Sequence, residues 1–471
     1  MSTPVPETKT KIKKAPRPNW VSTRNPCKAC APLGAALVMR GIEGALPFLH
    51  GSQGCATYMR RYLISHFREP MDIATSGFSE ATTIFGGGAN LKQGLGNVTS
   101  QYHPELIGIA TTCLTETIGE NMPLMLTEYR KDHTGADEPV LVHVSTPSYS
   151  GTHMDGFHDA VRAVVEQLAE REAAPSAYGS GSFINLFPGL VSAEDLRYLK
   201  QVAEDFKLPM TLFPDYSETL DGESMVKYTK IPDGGTKIAA LRASGSAAGS
   251  IEFGRTLRNK KTAASFLRDR FLVPAERIGL PIGVQESDTF FAAMEGLSGH
   301  KTPEKYRRER GRLVDAYVDG HKYLFGKRAI VIGDEDMVVG LASFLAETGV
   351  VPALCASGGK SGALALSIAE VCGHLREPVA VRDGVDYMTI ADEVELRELK
   401  PDFVIGNSKA AKLAKALGVP LIRVGFPIHD RLGGQRILHL GYQGAQRLFD
   451  LVVNTLLEVK QESNAIGYSY L

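Results

Sequence analysis

Six cysteines carry most of the chemistry that this sequence can offer: Cys27, Cys30, Cys55, Cys113, Cys355 and Cys372. The chain opens on a polar, basic stretch with no apolar run behind it, so no secretory signal is expected and a cytoplasmic location follows. In such a chain a disulfide framework is disfavoured, and metal ligation or plain burial are the live readings. Cys355 and Cys372 stand among Ala, Leu and Val and read as small buried hydrophobes. The other four fall in the first 113 residues, near Gly, Pro or small residues. Cys30 lies in CAPLGA, Cys55 in HGSQGC and Cys113 in TTCLTE, at intervals of 25 and 58 residues. Those intervals are too wide for a zinc finger or a two-cluster ferredoxin run. Single cysteines on separate loops suit an iron–sulfur cluster held between several segments. Iron takes the thiolate, and small neighbours let backbone N–H groups approach sulfide. Three thiolates do not complete a usual four-cysteine site. The Ser148 oxygen, a second chain, or both would complete it. The alternative is a redox or zinc half-site at Cys27-x-x-Cys30, but no second pair at metal spacing follows.

The elements that must position these residues read as α/β. The length of 471 residues suggests about three domains. Residues 1–20 read as a flexible polar arm, 21–178 as a cluster-binding α/β domain, 179–325 as a second and 326–471 as a third with a C-terminal helix. From Pro26 the pattern suggests strand, turn, helix. Leu106–Thr112 and Pro139–Val144 read as strands with a helix over Glu120–Arg130 between them. Further strands are expected at SFINLFPG from Ser182, Pro209–Pro214, Lys327–Gly333, Val350–Ala356, Asp402–Gly406 and Pro420–Val424. Helices are expected over Ser192–Phe206 and Asp336–Thr348. Strands alternating with helices predict three Rossmann-like open parallel sheets, whose ligands bind beyond the carboxyl ends of strands. That rule selects Thr111-Thr112-Cys113 and Ser145-Thr146-Pro147-Ser148. With 52 Lys+Arg against 53 Asp+Glu, charge gives no reason to expect a nucleic acid or membrane-surface partner. No apolar run approaches the ~20 residues of a spanning helix.

Several longer motifs, in order, then carry a resemblance. CAPLGAALVMRGIEGALPFLHGSQGCATYMRRYLISHFREP, GGGANLKQGLGNV, IGIATTCLTETIGE and HVSTPSYSGTH, followed by YRRERGRLVDA, DFVIGNS and LIRVGFPIHDR, resemble the beta-type subunit of nitrogenase component 1. The resemblance spans nearly the whole chain after residue 20. It implies an α2β2 assembly in which alpha-type and beta-type subunits share an eight-iron, seven-sulfur P-cluster. The beta-type ligands would be Cys30, Cys55 and Cys113, with Ser148 reaching the oxidised cluster. It implies a catalytic iron–sulfur cofactor in the alpha-type partner, so no catalytic residue is assigned to this chain. It also implies a separate ATP-dependent iron protein docking near Phe85, with Tyr58 on the electron route. The absence of GxxxxGK[ST] from this chain fits ATP being bound by that partner. An interfacial divalent cation of the family would fall at Arg68-Glu69 and Asp315/Asp319. Asp315 and Asp319 are i,i+4 like charges, destabilising unless a cation or a neighbouring Arg308, Arg310 or Arg312 neutralises them.

The remaining candidates are weaker. His50 and His66 read as supporting or satisfied core histidines. Arg423, Asp430 and Arg431 read equally as functional groups, ion pairs or subunit contacts. Within the resemblance, a maturation scaffold on which the nitrogenase cofactor is assembled is the alternative. Its beta-like chain typically lacks the first and third Cys and the Ser, so retention of Cys30, Cys113 and Ser148 favours electron transfer. Protochlorophyllide-reductase relatives, with a smaller cluster, fit poorly. The missing long N-terminal extension and the HGSQGC form lean toward nitrogenase-like reductases, including methylthio-alkane reductases that cleave carbon–sulfur bonds, over N2 reduction.

Overall fold

A computed structural model describes residues 27–133, 135, 138–171, 182–224 and 226–464. The expected 1–20 arm lies outside the described residues. The first sheet joins β1 (Ala45–His50), β2 (Ala74–Thr75), β3 (Leu106–Thr111) and β4 (Val140–Val144) in the order β2-β1-β3-β4. All its pairings are parallel, and the register from Ala45↔Leu106 to His50↔Thr111 brings the ends of β1 and β3 level. Both strands are buried along their whole length, which is why they read as continuous apolar runs and not as alternating ones.

Helices cover both faces of this sheet. On one side lie α1 (Ala31–Arg40), α2 (Gln53–Phe67) and, after β4, the helix His153–Leu168. The other side is filled by Leu91 and Leu95 of the helix Gly88–Tyr102 and by Met122 and Leu126 of the helix Met122–Asp132. The second sheet comprises β5 (Ile184–Phe187), β6 (Met210–Leu212), β7 (Gly249–Phe253) and β8 (Ala275–Ile278), ordered β6-β5-β7-β8. The third comprises β9 (Arg328–Ile332), β10 (Val351–Ala356), β11 (Ala380–Arg382), β12 (Phe403–Gly406) and β13 (Leu421–Arg423), ordered β11-β10-β9-β12-β13. Every ladder is parallel, so the architecture is α/β with three open parallel sheets. Among the described residues no helix is long and apolar enough to cross a membrane.

One local expectation needs correcting. After Pro26 the chain forms helix α1 before any strand, because CAPLGAALVMR places Pro32 in the first helical turn, where its missing N–H costs nothing. The helix expected over Glu120–Arg130 is present as α4 (Met122–Asp132), preceded by a short separate helix, α3 (Cys113–Ile118), which Gly119 closes with a left-handed cap at φ +76°.

One packing contact decides where Cys30 goes. A Cβ on Gly34 of α1 would lie 1.8 Å from the carbonyl oxygen of His153, and one on Gly156 would lie 1.9 Å from that of Ala31. These two glycines let α1 and α5 (His153–Leu168) cross with their backbones in contact. The crossing seats the N-terminus of α1, with Cys30, against the segment after β4.

Candidate cluster-binding site

The three expected ligands stand at the starts of three helices. Cys30 is the N-cap of α1, Cys55 is the third residue of α2 behind the Ser52 cap, and Cys113 is the first residue of α3. Unsatisfied N–H groups and the positive end of a helix dipole favour a thiolate at such positions. Cys30 is exposed, while Cys55 and Cys113 are half-buried; all six cysteines are free thiols. Burial pushes the Cys55 thiol up, and the charges of Cys30 and Cys113 push it the same way. The three sulfurs are therefore within electrostatic reach, and a cationic group between them would relieve their repulsion.

Ser148 joins them. Its backbone N–H donates to Cys113 Sγ at 3.2 Å, and its Oγ accepts from the Ala31 N–H, at the start of α1, at 3.1 Å. The segment is held there by Thr146, whose N–H donates to Thr111 Oγ1 at 2.9 Å and whose hydroxyl donates to Thr111 O at 2.6 Å. His153 fastens the other edge: its Nδ1 accepts from Ala29 N–H at 3.2 Å and its own N–H donates to Ala29 O at 2.9 Å. Among the described residues no three His, Cys, Asp or Glu side chains converge on a site for a single ion. Three spaced thiols, a serine oxygen and helix N-termini suit a group with several irons better than one ion.

Around this centre the other candidates separate. Tyr58 lies one turn beyond Cys55, 62% exposed and stacked on Tyr62. Phe85 and Ile84, 86% and 75% exposed, end the short helix Glu80–Phe85. Glu69 lies elsewhere, half-exposed and raised by burial and by Asp221, with Arg436 opposing. Asp315 and Asp319 are exposed on the helix Glu304–Leu324, where Arg308 pairs with Glu304 at 3.1 Å and Arg310 with Asp288 at 2.8 Å. One copy of the chain does not bring these three carboxylates together.

Cys27 turns away from Cys30 into the core of the third sheet beside Ile330, Leu354 and Tyr387, and burial raises its thiol well above the usual range. Cys355 and Cys372 are buried in the main core, as their apolar setting implies. His66 is buried beside Phe426, accepts from Ile428 N–H at 2.9 Å, and is pushed down to about 4 by burial. His50 is buried at the end of β1 and hydrogen-bonds Ser76 Oγ at 3.0 Å and the Glu120 carboxylate. Arg423 grips Asp430 through two nitrogens at 3.0 and 2.7 Å, which holds that carboxyl down at about 2.

Sequence reasoning passed over a cleft of about 240 Å3 that contains none of the three candidate ligands. It opens beyond the carboxyl ends of β4, β7, β9 and β10, with the His153–Asp334 pair at 3.0 Å in its wall. Its polar residues come from five distant segments, so no local motif announces it.

The fold and this thiol arrangement define a three-sheet α/β protein with a cysteine-rich site at strand ends. The family described as nitrogenase component 1 type oxidoreductase matches residues 30–457, and the chain belongs to it. It is 33% identical to the nitrogenase molybdenum-iron protein beta chain of Clostridium pasteurianum, over 92% of this chain and 93% of that one. The corresponding beta chain of Methanothermobacter thermautotrophicus is 34% identical over 92% and 94%. A nitrogenase iron-molybdenum cofactor biosynthesis protein, NifN, from a Nostoc species is 31% identical over 94% and 95%. Among solved structures, a chain of nitrogenase Cp1 at pH 6.5 superposes with a TM-score of 0.89 at 32% identity, covering 98% of this chain and 97% of that one.

Proposed function

We propose that this chain is the beta-type subunit of a nitrogenase-like reductase and holds an interfacial eight-iron P-cluster through Cys30, Cys55 and Cys113, with Ser148 as the oxygen ligand of its oxidised form. The observation that carries the reading is the meeting of Ser148, Cys113 and the Cys30 helix through the contacts at 3.2 and 3.1 Å. The identity to beta chains along nearly the full length supports it. Bound there, the cluster supplies a one-electron relay between an ATP-dependent iron protein and a catalytic iron–sulfur cofactor in an alpha-type partner. The chain's own part is to present three thiolates at helix N-termini, to hold Ser148 beside them, and to offer Ile84 and Phe85 as an apolar seat for the iron protein. Tyr58 lines the route beside Cys55. The subunit works in an α2β2 heterotetramer, and substrate choice, a methylthio-alkane carbon–sulfur bond or N2, resides in the partner. Glu69, Asp315 and Asp319 would meet a divalent cation only across two beta-type copies. The three domains divide near residues 178 and 325.

A second reading is the beta-like half of the cofactor-assembly scaffold, favoured by the identity to NifN. Rapid mixing of the anaerobic alpha–beta complex with reduced, ATP-charged iron protein separates the two. Prompt electron uptake followed by substrate turnover is expected of the reductase. Cofactor handed on to another protein, with no turnover, would replace it with the scaffold.

A further inference from the structure

A buried carboxylate that neither the sequence reading nor the proposed cluster uses lies between the apolar seat and the cysteines. Phe85 is followed by Gly86, at φ +91°, and by Gly87, which is buried against Phe78 and starts the helix Gly88–Tyr102. The Gly87 N–H donates to one oxygen of Glu120. The other oxygen takes the Nε2–H of His50. His50 Nδ1 is then the acceptor for Ser76 Oγ at 3.0 Å, and that Oγ accepts in turn from Gly51 N–H at 2.9 Å. The His50 side chain is fully buried and that of Glu120 is 4% exposed, so these bonds have no water competing for them.

Each end of the knot leads to a candidate ligand. His50 ends β1, and the chain runs from it through Gly51 and Ser52 directly into the helix carrying Cys55. Its carbonyl also accepts from Thr112 N–H at 3.1 Å, next to Cys113. Glu120 follows α3, the helix that Cys113 begins. One carboxylate therefore ties the loop after Phe85 to both segments, and none of the three is joined to the others locally in sequence.

We propose that Glu120 is a positioning residue: it fixes the Ile84–Phe85 knuckle in register with the Cys55 and Cys113 segments, so that a protein seated on the knuckle is set at a defined distance and angle from those thiols. The registering role rests on the docking reading given above; the brace itself does not. A charge-assisted bond in a dry site is worth about ten- to a hundredfold in a local opening equilibrium.

The test compares Glu120→Ala, Glu120→Gln and Phe85→Ala in the anaerobically purified alpha–beta complex. Iron content, amide hydrogen exchange over residues 85–88 and affinity for the iron protein are measured for each. Glu120→Ala is expected to keep its iron, to speed exchange over 85–88 by about tenfold or more, and to weaken iron-protein binding. Glu120→Gln, whose amide oxygen still accepts from Gly87 and whose NH2 can donate to Nε2 of His50 in its other tautomer, is expected to recover most of both. Unchanged exchange in Glu120→Ala would overturn the brace, and iron loss with unchanged exchange would do the same. If Phe85→Ala weakens the iron protein and Glu120→Ala does not, the registering role fails. If Phe85→Ala has no effect on affinity, the docking reading fails instead, while the exchange arm still decides the brace.

Discussion

Replacing Gly34 by Ala should uncouple α1 from α5 and, through them, Cys30 from Ser148. The added Cβ would lie 1.8 Å from His153 O, 2.7 Å from Phe157 N and 2.8 Å from His153 C, all backbone atoms that no rotamer change can move. Ordinary contact needs about 3.5 Å, so the helices must part by about 1.7 Å along that line. Overpacking of this kind costs about 1–3 kcal/mol, and the rigid neighbours place this case at the upper end. The movement also strains the bonds from Ala31 N–H to Ser148 Oγ and between Ala29 and His153, each worth about 1 kcal/mol. A total near 3–4 kcal/mol follows, about 6–16 °C in Tm for a domain of 150–250 residues. Gly96→Ala is the control, since nothing lies within 4 Å of its Cβ in the helix Gly88–Tyr102, and gain of a helix former should leave it neutral or up to about 1 kcal/mol more stable. The assay is anaerobic thermal unfolding of the alpha–beta complex together with iron content. Gly34→Ala should unfold earlier and carry less iron. Behaviour matching Gly96→Ala on both measures would refute the packing argument.

Three further outcomes are expected. Cys55→Ala should lose cluster iron while keeping its far-ultraviolet circular dichroism, because the thiol is only half-buried at the edge of the core and the proposed reading makes it a cluster ligand; full iron would remove Cys55 from the ligand set. Ser148→Ala should shift the midpoint of the oxidised cluster in a redox titration with little change in the reduced state, and an unmoved midpoint would discard the serine. His66, ordinarily near 6.5 and about 4 in the folded chain, is held neutral by burial. The unfolded chain then binds more protons between those values, so its contribution is complete above about pH 6.5 and is lost as pH falls toward 4. The loss between pH 7 and pH 5 is about 2 kcal/mol, which denaturant unfolding of wild type against His66→Gln would register as a difference in slope with pH; parallel pH profiles would contradict it.

Strands β3, β4, β5, β9, β10, β12 and β13 were legible because each is an apolar, β-branched run bounded by turn residues, the pattern of a strand buried on both faces. β1 was not, because Pro47 interrupts it. Its neighbour β2 pairs only with Phe48 and Leu49, so one flank of Pro47 has no strand to satisfy. Cys113 and Ser148 could be singled out in advance by residue type and strand-end position, Cys30 and Cys55 by residue type and small neighbours, and the family resemblance joined the four as one set. The partners that hold them could not be singled out. Gly34 against His153, Gly87 against Glu120 and His50 against Ser76 are contacts between distant segments, and each residue alone reads as an ordinary helix glycine, helix-end acid or core histidine.

The central claim is that three thiols and a serine of this chain hold half of an eight-iron interfacial cluster. Iron counting with EPR on the native alpha–beta complex, purified anaerobically, tests it most directly. About eight irons per alpha–beta pair are expected beyond those of the partner's cofactor, falling on Cys55→Ala. A count near four at the interface, unchanged by Cys55→Ala, would contradict it.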